Sequence, residues 1–184
     1  MSERAFKNTV LKNLKSDSIK RLQLRPVKLE RAHEIERPGD EIENLYFIEE
    51  GLGSMTTMFK DGFQVEVSLF GNEAVIGTAA LIGTKRSLNN IYMQVPGHGF
   101  TCTVDAAARE FRVSQRFRDI VLRYVQAQLV QTALSYSVLR AKPLRPIFFF
   151  PSSFFRSGRN APRASYRHYF PIQSLCPSVS LRSS

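Results

Sequence analysis

Between Val75 and Asn90 the chain reads V-I-G-T-A-A-L-I-G-T-K-R-S-L-N-N. Small residues on a turn between strands, here Gly77, Thr78 and Ala79, let backbone amides approach a ligand closely, as in loops that hold phosphate. Lys85 and Arg86, a few residues on, can add charge-assisted contacts to an anion. The same composition also describes an exposed loop with solvating cations, and spacing alone favours that second reading.

The other reactive side chains form no constellation. His33 lies among Glu30, Arg31, Glu34 and Glu36, the setting of a surface histidine, and His98 beside Pro96-Gly97 has no partner in view. With His168 far away, the three histidines lack the clustered His and Glu ligands that a metal site on a barrel fold needs. Cys102 and Cys176 have no metal-like spacing, and two idle or buried thiols are the simpler reading. No Ser-His-Asp or Cys-His arrangement emerges. The chain is therefore expected to be no enzyme and to carry no metal and no cofactor.

The elements that position the loop follow from period and punctuation. Phe63, Val65, Val67 and Leu69 alternate with Gln64, Glu66 and Ser68, the pattern of a strand with the first set in a core and the second in water. Gly53 to Phe59 is its partner, joined through Lys60-Asp61-Gly62, since Asp-Gly suits a tight hairpin turn. Pro38-Gly39-Asp40 bends the chain into the run Leu45-Tyr46-Phe47-Ile48, which Gly51 and Gly53 close. Ile91 to Gln94 and Gly99 to Val104 read as the last strands, with Pro96-Gly97 as the turn between them. Short glycine-punctuated strands at this spacing predict a mainly β architecture with some α, an antiparallel jelly roll followed by a long helix.

Ahead of the roll, Val10, Leu11 and Leu14 give a short helix an apolar face, and Ser16 can cap a second one carrying Ile19 and Leu22. Pro26 stops it, and Val27 and Leu29 begin the first strand. Behind the roll, Asp105 can cap a run through Phe111, and Ser114 can cap a helix from about Gln115 to Arg140. On that helix Leu122, Val125, Leu129, Thr132, Tyr136 and Leu139 recur at steps of three and four, a heptad seam. Ile120, Val121, Val130, Ala133, Leu134 and Val138 widen the apolar surface, so that one side can rest on the sheet while another meets a second helix. A parallel homodimer is the functional reading, and a helix packed wholly on its own domain is the alternative.

The chain of 184 residues carries a net charge of +10, but the excess is uneven. Residues 1–141 hold 19 basic and 16 acidic residues, whereas residues 142–184 hold 7 basic and none acidic. Six of the nine prolines also lie in residues 142–184, spaced so that no helix of useful length fits between Pro143 and Pro177. Three segments result: an effector-type roll with its N-terminal helices over 1–113, a dimerisation helix over 114–141, and a disordered or aberrant Arg/Ser/Pro/Phe-rich tail over 142–184. The tail's composition suits an out-of-frame ending better than a folded domain. Without an apolar run near the roughly 20 residues of a membrane span, the expected compartment is the cytoplasm.

P-G-D at 38–40, Y-F-I-E-E-G at 46–51, the K-D-G hairpin, V-I-G-T-A-A-L at 75–81 and R-Y-V-Q-A-Q-L-V-Q at 123–131 together resemble the effector domain of Crp/Fnr-type transcription regulators. The resemblance covers roughly Leu11 to Arg140. It implies a cyclic-nucleotide-binding-like jelly roll, a dimerisation helix, a small-molecule effector, and in intact relatives a C-terminal helix-turn-helix that binds DNA. Members that bind cyclic nucleotide have a glutamate after the glycine of I-G and a later arginine for the phosphate. The corresponding residues here are Thr78 and Asn90, and a neutral Asn90 cannot balance a phosphate charge.

Arg86 or Lys85 can substitute from the loop, and Glu73 lies near the mouth as a polar contact. The expected ligand pocket is thus Glu73, Gly77, Thr78, Ala79, Arg86 and Asn90, without affinity for cyclic AMP. No helix-turn-helix can be drawn through residues 142–184. The resulting expectation is a sensor and dimerisation module without its DNA-binding domain. The alternative is a stand-alone effector-binding or protein-interaction domain that does not bind DNA, and neither reading involves a membrane.

Overall fold

The computed structural model describes residues 6–58 and 64–141, with side chains over 6–57 and 65–133. Two short helices, α1 (Thr9–Lys12) and α2 (Ser16–Leu22), precede β1 (Arg25–Leu29), β2 (Glu34–Glu36), β3 (Asn44–Met58), β4 (Gln64–Phe70) and β5 (Val75–Ile76). A 3-10 turn at Thr78–Leu81 leads to β6 (Asn90–Thr103), then α3 (Val104–Val113) and α4 (Gln115–Ala141). The strands pair antiparallel in the order β1-β6-β3-β4, with β2 also on β6 and β5 also on β3. The architecture is an antiparallel roll followed by a long helix. The Lys60-Asp61-Gly62 turn, Phe63 and the tail over 142–184 lie outside the described residues.

Two expected breaks turn out to be bends inside long strands. β3 runs through Gly51 and Gly53 for 15 residues, and β6 runs through Pro96-Gly97 for 14. The two strands pair along almost their whole length, from Asn44↔Thr103 to Thr56↔Asn90, with register shifts between Ile48 and Gly53. Gly97 serves the close approach of the strands there: a Cβ on it would collide with the carbonyl oxygen of Glu50. Glycine marks a bulge and a strand contact at this place, and the hydrogen-bonded ladder carries the chain past it.

The faces of β4 also differ from the alternation in the sequence. Ser68 and Phe70 are buried, whereas Val65, Val67 and Leu69 are only half-buried. Thr56 pairs with Glu66 but Met55 pairs with Ser68, so Val67 is the extra residue of a bulge that shifts the phase. Ser68 therefore shares a face with Met55, on the core side.

Local caps set the helix ends. Asn8, fully buried, caps α1 by accepting from the Val10 and Leu11 N–H groups, and its amide donates to the Ile48 and Ala74 carbonyls. The second helix begins at Ser16 with Lys15 before it and no side-chain cap, contrary to the expected Ser16 cap. Thr103, not Asp105, caps α3, and Ser114 caps α4 as its spacing suggests, accepting from the Phe117 N–H at 3.2 Å.

The long helix lies on its own roll through Phe117, Val121, Tyr124 and Ala127, all members of the buried core with Phe47, Phe70, Ile91 and Met93. Burying each large apolar side chain contributes on the order of 2 kcal/mol, which fixes this face of α4 to its domain.

Candidate functional site

Cross-strand register places four residues in one line on the inner face of the roll. Glu36 of β2 pairs with Ile91 of β6, Ile91 with Met55 of β3, and Met55 with Ser68 of β4. Directly paired residues point to the same face, and with strands about 4.8 Å apart the line spans roughly 14 Å. Its middle is apolar and its ends are polar. Ser68 Oγ, buried, has no hydrogen-bond partner among the described residues. Glu36 is 8% exposed and sits at the opposite end.

The Glu36 carboxylate gathers the loop that the sequence singled out. It accepts from the Ser87 hydroxyl, and the nearby Gly77 backbone also acts to hold its charge. Ser87 also accepts from the Asn89 N–H at 3.0 Å, which closes a small turn around the carboxylate. Burial pushes the Glu36 carboxyl above its usual range, and the Ser87 and Gly77 hydrogen bonds only partly offset this. Gly77 has φ of +94° and stands 2.6 Å, measured from where a Cβ would lie, from the Asn44 carbonyl oxygen. Only glycine fits this turn, which starts the 3-10 segment at Thr78.

The structure brings some of the expected site residues together and separates others. Gly77 and Thr78 are buried beside one another and Ala79 is half-buried. Arg86 is exposed, donating to the Gly39 carbonyl at 2.7 Å, and Lys85 is exposed too. Asn90 pairs with Thr56 and donates to its hydroxyl at 3.1 Å, on the opposite face from neighbouring Ile91. Glu66 pairs with Thr56 from the other side and accepts from Ser54 at 2.6 Å, with burial raising its carboxyl as well. Glu73, buried, accepts from the Gly71 N–H at 3.2 Å within its own turn. No lysine or arginine among the described residues is buried, so the interior holds carboxylates without a buried cation.

Glu36, Ser87 and Ser68 were not singled out in the sequence. Glu34 and Glu36 have the same parity, yet Glu34 is exposed and Glu36 buried, because the register shifts between them. A usable signal lay only in Glu36 standing directly before the R-P-G-D turn, and in Ser68 and Phe70 sharing a parity with no charge between them.

On α4 the expected seam divides. Leu122 and Leu129 are 45% and 68% exposed, and at about 100° per residue they lie about 80–160° round the helix from Phe117, Val121 and Tyr124. Val125 and Thr132 are half-buried, and Thr132 donates to the Gln128 carbonyl. The side chains of Tyr136 and Leu139 lie outside the described residues. At the far end of the roll, an open groove of about 440 Å³ runs between Phe6, Pro26, Lys28, His98 and Phe100. His98 there is exposed, with Nδ1 3.6 Å from Glu50. The Cys102 thiol is buried and pushed up to about 12 by that burial. Among the described residues no three potential metal ligands gather, and no helix is long and apolar enough to cross a membrane.

This geometry has counterparts among solved structures. No family model matches the sequence, and no curated protein does. The fold is that of the effector domain of Crp/Fnr-type regulators and of related cyclic-nucleotide-binding domains. A putative Crp/Fnr-family transcriptional regulator from Eubacterium rectale superposes with a TM-score of 0.64 at 9% identity, over 74% of this chain and 65% of that one. The c-di-GMP-responsive regulator CLP of Xanthomonas campestris gives 0.59 at 18% identity, over 68% of this chain and 65% of that one. The sensor domain of the transcriptional regulator DNR from Pseudomonas aeruginosa gives 0.52 at 14% identity, over 76% of this chain and 90% of that one. The chain thus spans somewhat less than two thirds of the first two and most of the isolated sensor domain.

Proposed function

We propose that this chain is the sensor and dimerisation module of a Crp/Fnr-type transcription regulator, in which a small effector acts on the roll and α4 joins two copies. The observation that carries it is the two-sidedness of α4. One stripe, Phe117, Val121, Tyr124 and Ala127, is committed to the roll, while Leu122 and Leu129 stand exposed off that stripe on one flank of the helix. Exposed leucines at a spacing of seven, on a helix longer than its domain requires, suit a parallel helix pair. Changes inside the roll would reach the partner through the packing of that helix.

Cyclic AMP is not the effector in this reading. By the family resemblance Thr78 and Asn90 correspond to the glutamate and arginine of cyclic-nucleotide binders, and among the described residues no buried cation would meet a phosphate. Residues 142–184, with six prolines and no acidic residue, support a module in which this stretch supplies no helix-turn-helix. Light scattering on a sizing column tests the assembly. The chain is expected as a dimer and the Leu122→Asp/Leu129→Asp variant as a monomer with unchanged far-UV circular dichroism; a monomeric parent chain ends the reading. Titration with cyclic AMP and cyclic GMP is expected to give no saturable heat. Duplex DNA binding that persists after residues 142–184 are removed would contradict the absence of a DNA reader.

A further inference from the structure

We propose that Glu36 is a built-in anion, whose buried carboxylate fills the seat at the Ser87 hydroxyl and so restricts the effector to uncharged or cationic molecules rich in hydrogen-bond donors. The effector class rests on the reading of the roll as a sensor; the seat itself does not.

A buried serine hydroxyl held in a tight turn, as Ser87 is by the Asn89 N–H, is a donor ready for negative charge. In this roll that donor already serves a residue of the chain, Glu36. The nearby cations turn elsewhere: Arg37 pairs with Glu34, Arg86 donates to Gly39, and Lys85 is exposed. A phosphate ester entering here would meet a buried carboxylate with no buried cation among the described residues to offset either charge, a costly arrangement. An amine or a polyhydroxyl compound would instead find an acceptor at Glu36, an apolar floor at Ile91 and Met55, and the orphan hydroxyl of Ser68 at the other end. The raised carboxyl of Glu36 accords with an anion held only by neutral donors.

Glu36→Ala removes a fragment equivalent to acetate, so sodium acetate can refill the seat. In thermal melts against matched sodium chloride, acetate and inorganic phosphate are expected to raise the melting temperature of Glu36→Ala saturably. Neither should do so in the wild-type chain or in Glu36→Ala/Ser87→Ala. Acetate acting no better than chloride on folded Glu36→Ala, or phosphate stabilising the wild type equally, overturns the proposal.

If Glu36→Ala does not fold, carbon-13 NMR of the Glu36 carboxyl, assigned by its loss in Glu36→Gln, decides the matter. Ser87→Ala is expected to move its titration midpoint upward, and an unmoved midpoint refutes the seat. None of these measurements uses an effector. Failure to find one would remove the sensor reading and leave the acetate response standing, while failure of acetate would remove only the seat.

Discussion

Glu36 and Glu110 are both buried carboxylates, yet the molecule treats them in opposite ways. Glu110, near the end of α3, is gripped by Arg21 of α2, with Nε at 2.5 Å from one oxygen and Nη2 at 3.0 Å from the other. The Arg21 hydrogen bonds hold the Glu110 carboxyl below its usual range despite burial, with Ser18 and Ser114 adding to them. Glu36 has only a hydroxyl and an amide, and burial wins. The contrast separates a structural joint, where the charge is matched bidentately, from a site left with unmatched charge. Unmatched charge is retained where something other than stability is served.

Breaking the matched side should have the largest effect. Arg21→Ala leaves the Glu110 charge buried without its cation, and denaturant unfolding should show a greater loss of stability than Ser87→Ala or Glu36→Gln produces. Adding Glu110→Gln should recover most of the loss. No recovery in the double variant would mean that Arg21 acts through packing and not through charge.

On the unmatched side, Ser87→Ala removes one of the donors to Glu36 and is expected to cost about 2 kcal/mol at neutral pH, as for hydrogen bonds to charged groups. A change under about 0.5 kcal/mol would mean that water replaces the hydroxyl fully.

The smallest and sharpest test is the opposite pH dependence of the two groups. Glu36, raised from 4.5, favours folding in its protonated form, so its contribution is lost as pH rises from 4.5 through the folded value above it. Glu110, lowered from 4.5, contributes above 4.5, and that contribution is lost as pH falls through the folded value below it. In urea melts across pH, Glu36→Gln should flatten the profile above 4.5, and Glu110→Gln should flatten it below. Equal effects of both substitutions in one window would refute the contrast.

Much of the architecture was legible in the sequence because its causes are local. The cap at Ser114 and the apolar stripe of α4 each depend on residues within a few positions of one another, whereas the helix expected to stop at Pro26 already ends at Leu22 on a left-handed Gln23, and Pro26 lies in β1. Where the sequence misled, the cause was a long-range pairing. Gly51, Gly53 and Pro96-Gly97 look like strand ends, but β3 and β6 zip together past them because their hydrogen-bond ladder resumes on the far side of each bulge. The loop from Val75 to Asn90 was visible as a place for chemistry. Which group it holds was not, since Glu36 is 41 positions before Gly77 and 51 before Ser87 in the numbering.

The amino-acid order alone determined the class of fold, the length and two-sidedness of the final helix, and the absence of metal-type ligand spacing. Tertiary structure decided which side of each strand became the interior. Side chains alternate with a period of two, so one bulged residue at Val67 and one register shift between Glu34 and Glu36 suffice to exchange inside for outside. That exchange put Ser68 and Glu36 within the roll, and only the paired sheet could fix it.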